Sequence, residues 1–518
     1  MTPIRLMRSF ATVGGWTLFS RVLGFVRDIL MAKYIGAGAV ADAFFVAFSL
    51  PNMFRRFFAE GAFNAAFVPL FTKKLAGSQS EAEDFARDAY WFMASLLIVF
   101  SVLAMVLMPF LVFAMAAGFG GDERFDMAVL FGRIAFPYIL FISLTALISG
   151  MLNATGRFWA AAAAPALLNA AFIAALFLGA AMDWPMGLVL SWAVPVGGIA
   201  QLVVVWLAVK RAGFSLRFRR PRLTPELKRL FIIAGPAILA GGVVQINLIV
   251  GRQVASFTEN AISWLSYADR LYQLPLGVVG IAVGVVLLPE LSRRLRLGEP
   301  EGARDAFSRG MEFSLALTLP AAVALVVVAE PIIHVLFERG AFLREDTINT
   351  ALALAIYGLG LPAFVLHKVL QPLYFAREDT RSPFRYALVA MVVNAVIAVG
   401  LMPFIGFIAA AWGTTIAGWT MVFQLWYGAR RMGEAAQPDA RMHDRLWRMA
   451  LAAAFMGLCL WLAAGWLAPM LAGPARVLAL VALLGVGAVS YFGLGTLVGA
   501  FRLSDFRAAM RRGGAKQG

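Results

Sequence analysis

Long apolar stretches recur along the whole chain, separated by short polar connections. A bilayer core needs about 20 predominantly apolar residues per helix. Fourteen stretches meet this, roughly 10–34, 41–70, 89–117, 127–154, 158–181, 186–209, 230–257, 262–289, 311–329, 347–376, 384–403, 407–429, 449–470 and 475–500. Their continuity excludes the period-2 alternation of barrel strands. In lipid every backbone polar group must be paired internally, so uninterrupted spans are helices. The prediction is an all-α polytopic membrane protein with fourteen transmembrane helices.

Short matches point to an internal repeat. Phe67-Val68-Pro69-Leu70 resembles Leu287-Leu288-Pro289-Glu290, and Phe85-Ala86-Arg87 resembles Phe307-Ser308-Arg309. Leu50-Pro51 matches Leu274-Pro275, and Asn169 matches Asn394. The offsets are 220, 222, 224 and 225. A near-constant offset predicts duplication of a six-helix unit. Six is even, so both copies share one orientation, as in parallel-repeat transporters. The expected organisation is an N-terminal lobe over 1–220, a C-terminal lobe over 221–440, and two additional helices with a tail over 441–518.

Composition sharpens this picture. Hydrophobic residues make up 61% of the 518 and charged residues 14%, against about 25% charged in a typical soluble chain. The net charge is nevertheless +16. A soluble nucleic-acid binder would carry its Lys and Arg on a polar background, so no nucleic-acid partner is expected. The excess is sorted by place. Basic residues crowd the even-numbered connections, such as Lys210 to Arg229, Arg293 to Arg309 and Arg430 to Arg448. Acids including Asp122, Glu123, Asp126, Asp183, Glu338 and Glu345 mark the odd ones. The positive-inside rule then places both termini in the cytoplasm. The N-terminal stretch has no convincing small-residue cleavage site and reads as a retained first helix. One Cys, three His and no HExxH or GxxxxGK[ST] motif exclude disulfide frameworks and the common zincin and P-loop chemistries. No metal site and no cofactor are expected.

Charges inside the predicted spans are the informative exceptions. Lys33, Arg133 and Lys368 lie near span ends, where long side chains snorkel. Arg56 and Arg252 fit either a snorkelling or an inward role. Arg21, Arg27, Arg55 and Arg270 lie deep. Facing lipid, four such arginines would cost about 10–14 kcal/mol, comparable to a whole protein's stability of about 5–15 kcal/mol. Asp28 shares a helical face with Arg21 seven residues earlier, and Asp269 adjoins Arg270, so both acids have structural pairing as their simplest role. Guanidinium offers a planar fork suited to phosphate or carboxylate. The expected ligand is therefore an anionic, phosphorylated head group. Pro51 and Pro275 occupy matched positions in the two copies, a pointer to a transport site.

Ser20-Arg21-Val22-Leu23-Gly24-Phe25-Val26-Arg27-Asp28 resembles the first-helix motif of the MurJ lipid II flippases. Ala41-Asp42-Ala43-Phe44-Phe45, Leu50-Pro51-Asn52, Phe54-Arg55-Arg56 and Ala59-Glu60-Gly61-Ala62-Phe63 are similar to the second-helix signature. Tyr267-Ala268-Asp269-Arg270-Leu271, with Pro275 and Gly277, is similar to the helix-eight motif. The resemblance implies the multidrug/oligosaccharidyl-lipid/polysaccharide exporter fold, with a groove for the polyprenyl tail at helices 13 and 14. It implies a non-enzymatic transporter of the bacterial inner membrane that flips lipid II, the undecaprenyl-pyrophosphate-linked precursor of peptidoglycan, with the cell-wall synthesis machinery as a partner. Arg21, Arg27, Arg55 and Arg270 correspond to the family's cavity arginines, and Asp28 and Asp42 to its acidic positions. Asn52, Glu60 and Asp269 join the set through the same motifs. Gln273 stands where some relatives have Glu. Some relatives bind sodium through carboxylates in helices seven and eleven; the resemblance leaves Asn247 and Asn394 there, with Thr414 and Thr415 in helix twelve, and no carboxylate, which argues against sodium coupling and leaves the membrane potential as the driving force. The alternatives are an exporter of another polyprenyl-pyrophosphate-linked oligosaccharide, or a polytopic glycosyl- or phosphotransferase.

Overall fold

The computed structural model describes residues 3–56, 62–282 and 287–501. Every regular element among them is a helix. In chain order these are α1 (Pro3–Ile35), α2 (Ala39–Arg55), α3 (Ala62–Gly77), α4 (Gln79–Val106), α5 (Met108–Met115), α6 (Glu123–Ala135), α7 (Tyr138–Ala154), α8 (Trp159–Ala181), α9 (Met186–Arg211) and α10 (Pro225–Ser256). They continue with α11 (Ala261–Ala282), α12 (Leu288–Arg296), α13 (Pro300–Val327), α14 (Ala329–Phe337), α15 (Arg344–Phe375), α16 (Arg381–Ile405), α17 (Ile408–Ala429), α18 (Ala440–Leu471) and α19 (Arg476–Leu497). Nine helical segments among the described residues are long and apolar enough to cross a bilayer. The chain is a multi-pass, all-α membrane protein.

Several boundaries depart from the apolar pattern for local reasons. The stretch expected at 127–154 is two helices, because α6 ends before Pro137, whose nitrogen has no proton for a helical bond. The stretch at 262–289 is covered by α11 and the start of α12, with residues between them outside the described set. The short helices α5 and α14 are as apolar as the spans beside them, so hydropathy did not separate them. Pro51 and Pro275 each lie inside a continuous helix, α2 and α11.

The chain packs as two compact units. One holds the residues up to Ser263 together with the loop Arg339–Leu343, and the other holds Trp264–Glu338 and everything from Arg344 onward. This division follows which segments touch, whereas the boundary at 220 follows which segments repeat. In the first unit α4 packs on α7, α7 on α9, and α9 on α8, which also carries α1. The loop Arg339–Leu343 closes on the end of α1, where the Ala341 N–H donates to the Lys33 carbonyl at 2.9 Å. Gly36 and Gly340 make that approach feasible. Both have φ of +61°, and a Cβ on either would stand 2.3 or 2.2 Å from a carbonyl oxygen.

In the second unit α13 packs on α15, α15 on α17, and α17 on α16. These helices correspond to α4, α7, α9 and α8 at the offset the sequence motifs give. The added pair α18 and α19 pack on each other, and α18 joins α13. That joint is ionic. Glu312 on α13 is 7% exposed. It accepts from Arg309 and, at 3.2 Å, from Arg445 of α18, with Arg441 at 3.6 Å. Arg309 also reaches Asp439, whose other oxygen caps α18 by accepting the Met442 N–H at 2.7 Å.

Candidate functional site

The first helix carries the best-defined charge. Arg27 is 8% exposed and Asp28 7%. The Arg27 Nε and Nη2 donate to Asp28 Oδ1 at 3.0 and 2.7 Å. Its Nη1 donates to Asn169 Oδ1 on α8 at 2.9 Å, and the guanidinium lies 5.4 Å from the Phe172 ring centroid. Asn169 in turn donates from Nδ2 to the Ser20 carbonyl of α1 at 2.9 Å. A buried charge is tolerated only when paired and hydrogen-bonded, and this one is both. Guanidinium has five N–H groups. Three are engaged, so two remain for a ligand.

The other predicted residues fall in different settings. Arg21 is exposed and has no ion-pair partner among the described residues. The helical spacing allowed Asp28 to serve Arg21, but Asp28 serves its neighbour Arg27. Arg55 is half-buried at the end of α2. Asn52 donates one Nδ2 proton to the Phe48 carbonyl one turn earlier at 2.9 Å, which leaves its second N–H and its oxygen. Glu60 lies outside the described residues.

Asp42 is fully buried near the start of α2. Its Oδ1 accepts from the Ser263 backbone N–H at 2.9 Å and from the Ser263 hydroxyl at 2.6 Å. Its Oδ2 faces Arg124 at 3.5 Å. Arg124 is itself buried against Phe119 and bound to Asp122 at 2.6 and 2.8 Å. Asp42 therefore ties α2 to the start of α11. The Asp122, Glu123 and Asp126 cluster reads from sequence as a solvated loop. In the structure Asp122 instead holds a buried arginine and caps α6 through the Arg124 N–H at 2.7 Å.

On α11, in the second unit, Asp269 and Arg270 are half-buried. Gln273 donates to Asp269 one turn earlier. Tyr272, one residue before Gln273, has its ring 5.0 Å from Tyr357 and 5.4 Å from Phe364 of α15. Lys368 of α15 presses its Nζ against α11, where a Cβ on Gly280 would stand 2.9 Å away.

Arg124, Phe172 and Glu312 belong to no motif or spacing that would single them out in the sequence. Asn169 was visible only as a repeat match to Asn394. An amide in an alanine-rich helix, Ala160 to Ala171, was the available signal.

Repeated apolar helices, with arginines half or wholly buried within them and acids paired beside them, describe a multi-pass membrane protein. The chain belongs to the lipid II flippase MurJ family, whose profile matches residues 31–473. It is 45% identical to a probable lipid II flippase MurJ of Rhizobium meliloti (strain 1021), over 98% of this chain and 97% of that one. It is 34% identical to the lipid II flippase MurJ of Burkholderia cenocepacia, over 97% and 99%. Among solved structures it resembles a lipid II flippase MurJ in an inward closed conformation, with a TM-score of 0.77, 25% identity, and 94% and 98% of the two chains covered. A multidrug resistance MATE family transporter in an inward-facing conformation shares the fold, with a TM-score of 0.61, 14% identity, and 83% and 98% covered. Arg21, Arg27 and Asp28 precede the profile match.

Proposed function

We propose that this chain is a transporter, not an enzyme, and that it flips lipid II from the cytoplasmic to the periplasmic leaflet by alternating access. Arg21, Arg27, Arg55 and Arg270 bind the pyrophosphate and the sugar–peptide head group. Asp28, Asp42, Asn52, Glu60 and Asp269 set the arginines' geometry or touch the head group beside them. The observation that carries this reading is Arg27. It is a buried guanidinium, oriented from two sides, with two donors left, in a chain of this family.

The wider arrangement follows the same reading. Fourteen helices, with both termini in the cytoplasm, form two duplicated lobes over 1–220 and 221–440. The recurring packing order supports the duplication. Helices α18 and α19, within 441–518, guide the polyprenyl tail in the inner membrane. The membrane potential drives the cycle, at about 2.3 kcal/mol per unit charge per 100 mV. An inside-negative potential favours outward movement of an anionic head group and inward return of an empty cationic site. No sodium is required. The cell-wall synthesis machinery consumes the product.

The test is lipid II translocation in vesicles, with and without an imposed potential, and growth of a depletion strain. Arg27→Ala and Arg270→Ala are expected to abolish both. Normal growth and translocation by either variant overturns the reading. Translocation indifferent to the potential overturns the drive but leaves the flippase.

A further inference from the structure

The connection between α9 and α10, residues 212–224, is basic enough to serve as a topology signal, but it is also built onto α4. Gln79 donates to the Gly213 carbonyl at 3.2 Å. Trp91 Nε1 donates to the carbonyls of Leu216 and Arg217 at 3.3 and 3.0 Å. Arg219 pairs with Asp84 and Asp88, both at 3.2 Å. The Phe218 ring meets Trp91 edge-on at 4.9 Å. Where the connection enters α10, Phe231 packs on Phe92 of α4 at 5.6 Å. Beside that contact lies a surface slot of about 430 Å³, lined by Phe92, Leu96, Leu223, Phe231, Ile232 and a single cation, Lys228. Leu223 and Ile232 are 58% and 66% exposed.

The charges around the slot are unbalanced. The local acids are engaged, Asp84 and Asp88 by Arg219 and Glu226 by Lys74 at 3.4 Å. Arg217, Arg220, Arg222, Lys228 and Arg229 are exposed and have no carboxylate partner among the described residues. Topology explains cations here but not an apolar slot beside them. An apolar slot accepts any hydrocarbon chain, but it does not explain the cations. Both are accounted for by one ligand with an acyl chain and an anionic phosphate.

We propose that this slot is a binding site for an anionic phospholipid. One acyl chain lies against Phe92, Leu96 and Phe231. The head-group phosphate is held by Lys228 with Arg222 and Arg229, the residues flanking the slot in sequence. Guanidinium and ammonium groups at a membrane surface attract anionic lipids in proportion to their number, and the guanidinium fork suits phosphate oxygens. The site is independent of the lipid II reading, since it needs only a multi-pass chain with this connection laid along α4.

The test is native mass spectrometry of the full-length protein purified in detergent and offered equal phosphatidylglycerol and phosphatidylcholine. The wild type is expected to retain phosphatidylglycerol by about tenfold over phosphatidylcholine. In R222A/K228A/R229A the preference falls below about twofold, while the charge-matched control R296A/R430A/R431A keeps it. Ile232→Ser is expected to lower retention of both lipids together. Melting temperature and monodispersity establish that each variant is folded; among the described residues the charged side chains replaced here have no hydrogen-bond or ion-pair partner, except that Arg296 donates to the Ser292 carbonyl of its own helix. Three results overturn the proposal: equal retention of both lipids by the wild type, equal loss of preference in both triple variants, or displacement of the lipid by inorganic phosphate.

Discussion

Asn169 is the residue through which the geometry of Arg27 is most directly tested. Its oxygen accepts from Arg27 Nη1 at 2.9 Å, and its nitrogen donates to the Ser20 carbonyl at 2.9 Å. Leucine at this position preserves approximate volume and removes both bonds. A hydrogen bond to a charged group contributes about 1.5–3 kcal/mol and a neutral one about 0.5–1.5 kcal/mol. The Arg27 share alone corresponds to roughly 10- to 150-fold in an equilibrium constant. If Asn169 acts by holding Arg27 in its binding orientation, Asn169→Leu weakens lipid II affinity by tenfold or more in the Arg27 background. In an Arg27→Ala background it changes affinity less than twofold, because there is no guanidinium left to orient. The assay is a double-mutant cycle on the affinity of purified protein for lipid II, with the four proteins checked for equal monodispersity. Additive losses would refute the reasoning, since they would show that Asn169 acts through the packing of α1 on α8 and not through Arg27.

Three further outcomes are expected. Asp42→Ala strips the buried Ser263 N–H and hydroxyl of their acceptor and lowers stability by about 3 kcal/mol, read as a fall in melting temperature; an unchanged melting temperature would count against Asp42 as a tie between α2 and α11. Glu312→Ala leaves Arg309 and Arg445 facing each other without their shared carboxylate, and costs about 3–5 kcal/mol; hydrogen exchange at the start of α18 is expected to rise, and protection equal to wild type would contradict it. Glu290 is held at about 2, down from 4.5, by hydrogen bonds from Arg293 and Arg294. Its ionised form is therefore favoured in the folded state, so the stabilisation it gives α12 is complete above about pH 4.5 and is lost as pH falls toward 2. Exchange in α12 should rise over that window in wild type and be flat in Glu290→Gln.

The spans were legible because lipid demands long apolar runs, and the demand is written residue by residue. What a run does not encode is where a helix stops inside it. Pro137 divides one stretch, while α5 and α14 hide in apolar surroundings. The deep arginines were legible for the opposite reason, since each is an exception that costs free energy unless something answers it. The answering groups were not legible. Ser263 lies 221 residues from Asp42, and Asn169 lies 142 from Arg27, so their pairing is a property of packing and not of local pattern. Arg124 was overlooked because acids on either side made its loop look solvated, whereas they neutralise a cation that is itself buried.

The connection that lies along α4 also governs how the protein meets a protease. Residues 217 to 229 hold five arginines and one lysine, by composition a trypsin target. Cleavage requires the backbone to be drawn into the enzyme's cleft, and local opening sets the rate at which that happens. Here the carbonyls of Leu216 and Arg217 are held by Trp91 and Arg219 is held by two acids. Trypsin does not cut before proline, which removes the Arg220–Pro221 bond, so digestion should begin at Arg222 and spare the Arg217 bond in the intact membrane. A sidedness map that counted on every arginine of this connection would mistake a tethered segment for one on the far side of the bilayer.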